Sequence, residues 1–88
     1  MNRYEIGMLA KSKSGHDMGK TYVILDVEET CVYLVDGVIR TIDKPKKKKK
    51  KHVQIIREQH DILKIDDVGI KRILKRYKEE KGLNREDL

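Results

Sequence analysis

Two stretches of this 88-residue chain hold side chains whose types and spacing could do chemistry. Residues 44–51 read KPKKKKKK, seven lysines in eight positions, and His52 follows directly. Residues 14–20 read SGHDMGK, in which Gly15 and Gly19 bracket His16, Asp17 and Met18, with Lys13 and Lys20 on the flanks. A lysine ammonium is a compact, strongly hydrated charge on a flexible stem, suited to attracting phosphate and poor at reading base edges. The paired glycines imply positive φ or a close approach by another chain. Such a loop would display Lys13, His16, Asp17 and Lys20 at one end of the fold, with backbone amides open to phosphate.

The basicity is a patch. Residues 1–39 carry four basic and six acidic side chains, residues 40–52 eight and one, and residues 53–88 nine and eight, which together make the net +6. Concentrated charge of this kind points to a polyanion, either nucleic acid or an anionic membrane surface. Stable membrane anchoring needs a second signal, and no lipidation motif is visible. No stretch approaches the roughly 20 apolar residues of a membrane-spanning helix, so no membrane partner is expected. Polylysine also fits a nuclear-localisation signal.

Catalysis finds little support. His16, His52 and His60 are scattered, Cys31 lies within an apolar run, and no metal-ligand spacing or nucleophile-base pair is present. Asp26, Glu28 and Glu29 read as a solvated turn. The expectation is a non-catalytic protein without metal or cofactor. A single cysteine, with no secretory signal visible, points to the cytoplasm.

The elements that must hold these residues are short. With no Phe, no Trp and four Tyr, the core falls to Val, Ile and Leu, which favours strands. IGMLAK is a first strand. In TYVILDV, Val23, Leu25 and Val27 share one face at period two, and Tyr22, Ile24 and Asp26 the other. CVYLV is apolar on both faces, and Asp36-Gly37 before VIRTI predicts a type I′ hairpin. The lysine segment, residues 44–52, reads as a basic loop inserted before a last strand, HVQIIREQ. From 67 to 81, with Asp66 as N-cap and Gly82 as the stop, Ile70, Ile73, Leu74 and Tyr77 mark an amphipathic helix. The helix's other face carries Lys71, Arg72, Lys75, Arg76 and Lys78, an ordinary solvated face or a second RNA-contacting surface. Residues 83–88 read as a frayed tail. The expected architecture is all-β over residues 1–57, a small antiparallel barrel of about five strands, followed by a C-terminal helix packed on or beside it over 66–82.

SGHDMGKTYVILDV resembles a KOW motif, a loop of glycine, variable residues and a second, hallmark glycine followed by an aliphatic strand. With VYLVDG and the later KPKKKKKKH, the chain is similar over residues 5–56 to the eukaryotic-type large-subunit ribosomal proteins fourteen, six and twenty-seven. Small bacterial KOW-domain RNA-binding proteins share the lysine-rich segment and helical tail. The resemblance implies an SH3-like barrel that binds structured RNA, typically ribosomal RNA, through the first hairpin loop and neighbouring basic loops. Gly19 matches the hallmark glycine, and Gly15, Asp17 and Lys20 match the loop around it. His16, Met18, Ser12 and Ser14 depart from the residues common in the family.

The candidate RNA-binding set is therefore Lys11, Lys13, Ser14, Gly15, His16, Asp17, Gly19, Lys20, Arg40, Lys44, Lys46, Lys47, Lys48, Lys49, Lys50, Lys51 and His52. Seven lysines neutralising about four to six phosphates would give a log-affinity against log-salt slope of roughly −3 to −5. No cluster of exposed aromatics offers a base-stacking platform; Tyr4, Tyr22, Tyr33 and Tyr77 read as core-edge residues. Selectivity would then come from RNA shape read by the SGHDMGK loop, with the lysine run a flexible, sequence-blind clamp that orders on RNA. The expected partner is RNA, ribosomal RNA above all, with ribosomal proteins as further partners and a free protein that is monomeric. A protein-interaction module of the transcription or translation machinery is the alternative, and electrostatic membrane-surface binding comes third.

Overall fold

The computed structural model describes residues 3–81. Five strands form one antiparallel sheet: β1 Met8–Ser12, β2 Thr21–Val27, β3 Cys31–Val35, β4 Lys46–Lys49 and β5 Val53–Gln59. Their order is β4-β3-β2-β1-β5, so β4 and β5 are the two edges and the sheet is not closed. A 3-10 turn, Lys50–His52, carries the chain from one edge to the other. One helix, α1 Asp67–Glu80, ends the described part. This is the small five-stranded antiparallel fold with a C-terminal helix that the periodicities predict.

Each face of the sheet buries its own cluster. Leu9, Val23 and Val35 on one face meet Ile70 and Leu74 of α1, with Ile73 and Tyr77 beside them, as the helical spacing predicts. Asp66 caps the helix by accepting from the Gly69 amide at 2.9 Å. The expected stop at Gly82 and the tail at 83–88 lie outside the described residues. Ala10, Tyr22, Ile24, Val32, Leu34 and Val53 form the cluster on the other face. Twelve hydrophobic residues are buried among the described residues, and Tyr22, expected at the edge of the core, is instead the largest fully buried side chain. Its phenol needs a polar partner inside the fold.

The structure corrects three local expectations. A bulge between Ile24 and Asp26 moves Val27 onto the Tyr22 and Ile24 face, away from Val23 and Leu25. An extra residue in a strand reverses the alternation beyond it. Asp36-Gly37 does not make a type I′ turn: Gly37 has φ 81°, but among the described residues none other than glycine has positive φ. The Asp36 carboxylate instead accepts from the amides of Val38, Ile39 and Arg40 at 2.8–3.0 Å, closing a wider loop that leaves Val38 and Ile39 mostly exposed. VIRTI is then no strand, and Ile42 anchors the loop by donating its amide to Asp67 at 2.8 Å.

The third correction concerns the lysines. The segment read as a basic loop over 44–52 contains β4, paired residue by residue with β3: Cys31 with Lys49, Val32 with Lys48, Tyr33 with Lys47, Leu34 with Lys46. Lysine is poor in strands by local preference, but pairing to β3 overrides that preference here. An edge position also suits lysine, whose charge discourages pairing with another chain.

Candidate nucleic-acid interface

Directly paired residues in an antiparallel ladder share a face. Lys46 and Lys48 therefore lie on the face of Leu34 and Val32, while Lys47 and Lys49 lie on the face of Tyr33 and Cys31. The first pair points at the buried cluster, and charge can sit there only if it is met. Asp17 meets it.

Gly15 and Gly19, at φ 86° and 89°, let residues 13–20 fold over the end of the sheet. The turn closes with Met18 donating its amide to the Gly15 carbonyl at 3.2 Å, Lys20 to Asp17 at 2.9 Å and Gly19 to Ser12 at 2.9 Å. These three amides are consumed within the turn rather than held open to phosphate. A loop this tight fixes the Asp17 side chain. Lys48 Nζ donates to Asp17 Oδ1 at 2.9 Å and to the Ser14 carbonyl at 3.0 Å. Lys46 Nζ lies 3.3 Å from Oδ2, the Tyr22 hydroxyl donates to Oδ2 at 2.7 Å, and the Ser12 hydroxyl is 2.9 Å from Oδ1. Side-chain exposure is 11% for Asp17 and 10% for Lys48, so this pair is largely desolvated.

Burial alone would raise the Asp17 pKa, but the hydrogen bonds from Tyr22, Lys48, Ser12 and Lys46 outweigh it and hold the carboxyl well below its ordinary 3.8. Tyr22 moves the other way: burial and its bond to the Asp17 carboxylate push the phenol above its ordinary 10.0. A second carboxylate, Asp36, binds Lys20 Nζ at 2.6 Å. Burial opposes its ionisation, and Lys20 with the Val38 and Arg40 amides more than offsets this, lowering its pKa.

The candidate residues thus fall into two groups. Lys46, Lys48, Asp17 and Ser14 form an internal knot in which one carboxylate serves two ammonium groups, and Lys20 is paired with Asp36, so these lysines are engaged within the fold. Lys13, Lys49, Lys51 and His16 are exposed, and Lys13 is tied to the 3-10 turn by donating its amide to the His52 carbonyl at 2.8 Å. Lys47 is exposed too but lies 3.7 Å from Glu28 and over the Tyr33 ring. Lys50 donates to the Glu29 carbonyl at 3.0 Å and sits over Tyr4, whose hydroxyl donates to the Lys50 carbonyl at 3.1 Å. Lys11, opposite Gln54 on the neighbouring strand, is exposed, and Gly19 has open space around it. Lys44 is exposed and Arg40 half-buried, both in the 36–44 loop.

Sequence reasoning missed Ser12 and Tyr22 as parts of this site. The one signal for them was Asp17 itself, a lone carboxylate in a basic loop, which needs partners that period-two strands could supply.

Among the described residues, no group of three or more His, Cys, Asp or Glu is arranged to hold a metal, and no helix is long and apolar enough to cross a membrane. Comparison with protein-family models finds no match, and comparison with curated proteins finds none.

Proposed function

We propose that this is a non-catalytic RNA-binding protein that docks on structured RNA, ribosomal RNA first, through the outer side of the lysine strand and the adjoining 13–20 loop. The observation that carries this reading is the sorting of one lysine run by strand alternation. Alternate lysines lock the loop to the sheet, while Lys49 and Lys51 stand on a held backbone facing solvent. A backbone already ordered loses less entropy on binding than a flexible clamp would. The KOW resemblance supports the same partner.

Fewer lysines are then free for phosphate than the run contains. Lys49, Lys51 and Lys13, with partial help from Lys47, would neutralise about three phosphates, for a log-affinity against log-salt slope of roughly −2 to −3. The test is binding to purified large-subunit ribosomal RNA across a salt series, with the Lys13→Ser/Lys49→Ser/Lys51→Ser variant alongside. Loss of most of the slope in the variant is the expected result. An unchanged slope, or a protein wholly in the ribosome-free fraction at low salt, overturns the proposal.

A further inference from the structure

A second surface lies apart from the lysine strand. The 36–44 loop and α1 enclose a cleft of about 420 Å³. One wall carries Val38 and Ile39, which are 59% and 71% exposed, and buried Leu74 forms part of the floor. The other wall is a row of three lysines along the helix, Lys71, Lys75 and Lys78. The acidic groups at the cleft are Asp36, already neutralised by Lys20 at 2.6 Å, and Glu79 at the helix end. The cleft is therefore positive on one side and aliphatic on the other.

That combination selects its occupant. Nucleic acid rewards cation and aromatic surface, and this cleft has no aromatic lining and two aliphatic side chains left in water. A polypeptide with acidic and aliphatic residues satisfies both walls. Lys71 and Lys75 are one helical turn apart, about 6 Å. Alternate residues of an extended peptide are about 6.6 Å apart and face the same way. Carboxylates at alternate positions would meet the lysines while the residues between them cover Val38 and Ile39.

We propose that this cleft is a docking site for an extended acidic peptide segment of a partner protein, with aliphatic residues between its carboxylates. Ile39 is the aliphatic anchor, and Lys71 and Lys75 set the register. The surface is separable from the RNA-binding reading, because of its lysines only Lys20, which is bound to Asp36, also belongs to the 13–20 loop.

The probe is the blocked peptide ELEIE, titrated into the full chain labelled with nitrogen-15, with ESESE and an oligouridylate of similar charge as controls. Amide shifts confined to Val38, Ile39, Leu74, Lys75 and their neighbours are expected with ELEIE. Binding should weaken about tenfold in Ile39→Ser, the effect of losing one partly buried aliphatic contact, and by more with ESESE, which loses two. Lys71→Glu/Lys75→Glu should abolish it. Both sets of substitutions are on exposed side chains, and a retained spectrum elsewhere verifies the fold. Equal binding of ESESE, shifts that centre on residues 46–51, or an oligouridylate that fills the cleft as well as ELEIE overturns the proposal. So do cleft shifts that grow with protein concentration alone, or that follow deletion of residues 82–88 without peptide, since the occupant is then a second copy or the chain's own end. Retained RNA binding in Ile39→Ser separates this outcome from that of the RNA reading.

Discussion

The two faces of β4 carry the same side chain in the same four-residue strand, Lys46 and Lys48 on one and Lys47 and Lys49 on the other. Lys48 is 10% exposed and bound to Asp17, whereas Lys47 is 58% exposed, lying 3.7 Å from the rim carboxylate of Glu28 and over the Tyr33 ring. The side chains are chemically identical, so their difference comes from what β3 and the 13–20 loop place opposite them. An inner lysine removed from water must be paired, and breaking such a pair strands the remaining charge. An outer lysine in water contributes little to stability and keeps its charge for a partner.

The comparison is broken most directly at its centre. Asp17→Asn leaves Lys46 and Lys48 facing a neutral amide within the fold, and urea unfolding should show a loss of about 3 kcal/mol. A variant as stable as the parent would mean that the inner lysines reach water after all.

Acid should remove part of the same stability. The Asp17 and Asp36 pKa values are lowered from 3.8, so their contribution is complete above about pH 4, the unfolded value, and is lost as pH falls through the lower folded values. Melting temperatures between pH 7 and pH 2 should fall more steeply below pH 4 for the parent than for Asp17→Asn. Parallel curves would assign the acid transition to other groups.

The smallest effect belongs to the outer face. Lys49→Ser, alone or with Lys51→Ser, should leave the melting temperature at neutral pH unchanged within error while weakening RNA binding. A drop in melting temperature comparable to that of Asp17→Asn would show that the outer lysines also hold the sheet together.

Part of this organisation was legible beforehand. The helix from 67 followed from Ile70, Ile73, Leu74 and Tyr77 at helical spacing and from Asp66 as its cap, because a helix's pattern and cap are local. The strand TYVILDV was equally plain, but the face of Val27 was not, since a bulge is made by the partner strand's register. VIRTI was misread because two β-branched residues after Asp-Gly look like a strand. The buried Asp36 carboxylate captures the following amides before β3 can pair with them. The lysine segment was misread for the reverse reason: nothing in the run favours a strand, and its pairing to Cys31, Val32, Tyr33 and Leu34 is long-range. In the candidate site, Gly15, Gly19 and the charged residues could be named from their types. The partnership of Asp17 with Lys48, 31 residues away, could not.

The sequence by itself determined where the helix starts and which of its residues face the core, that the loop with Gly15 and Gly19 turns tightly, and that positive charge is concentrated in one segment. Each of these depends on the identity of residues close together along the chain. Only the tertiary structure decided that the lysine segment is a strand and which of its charges remain free. A strand's two faces become different only when another strand and a distant carboxylate occupy one of them.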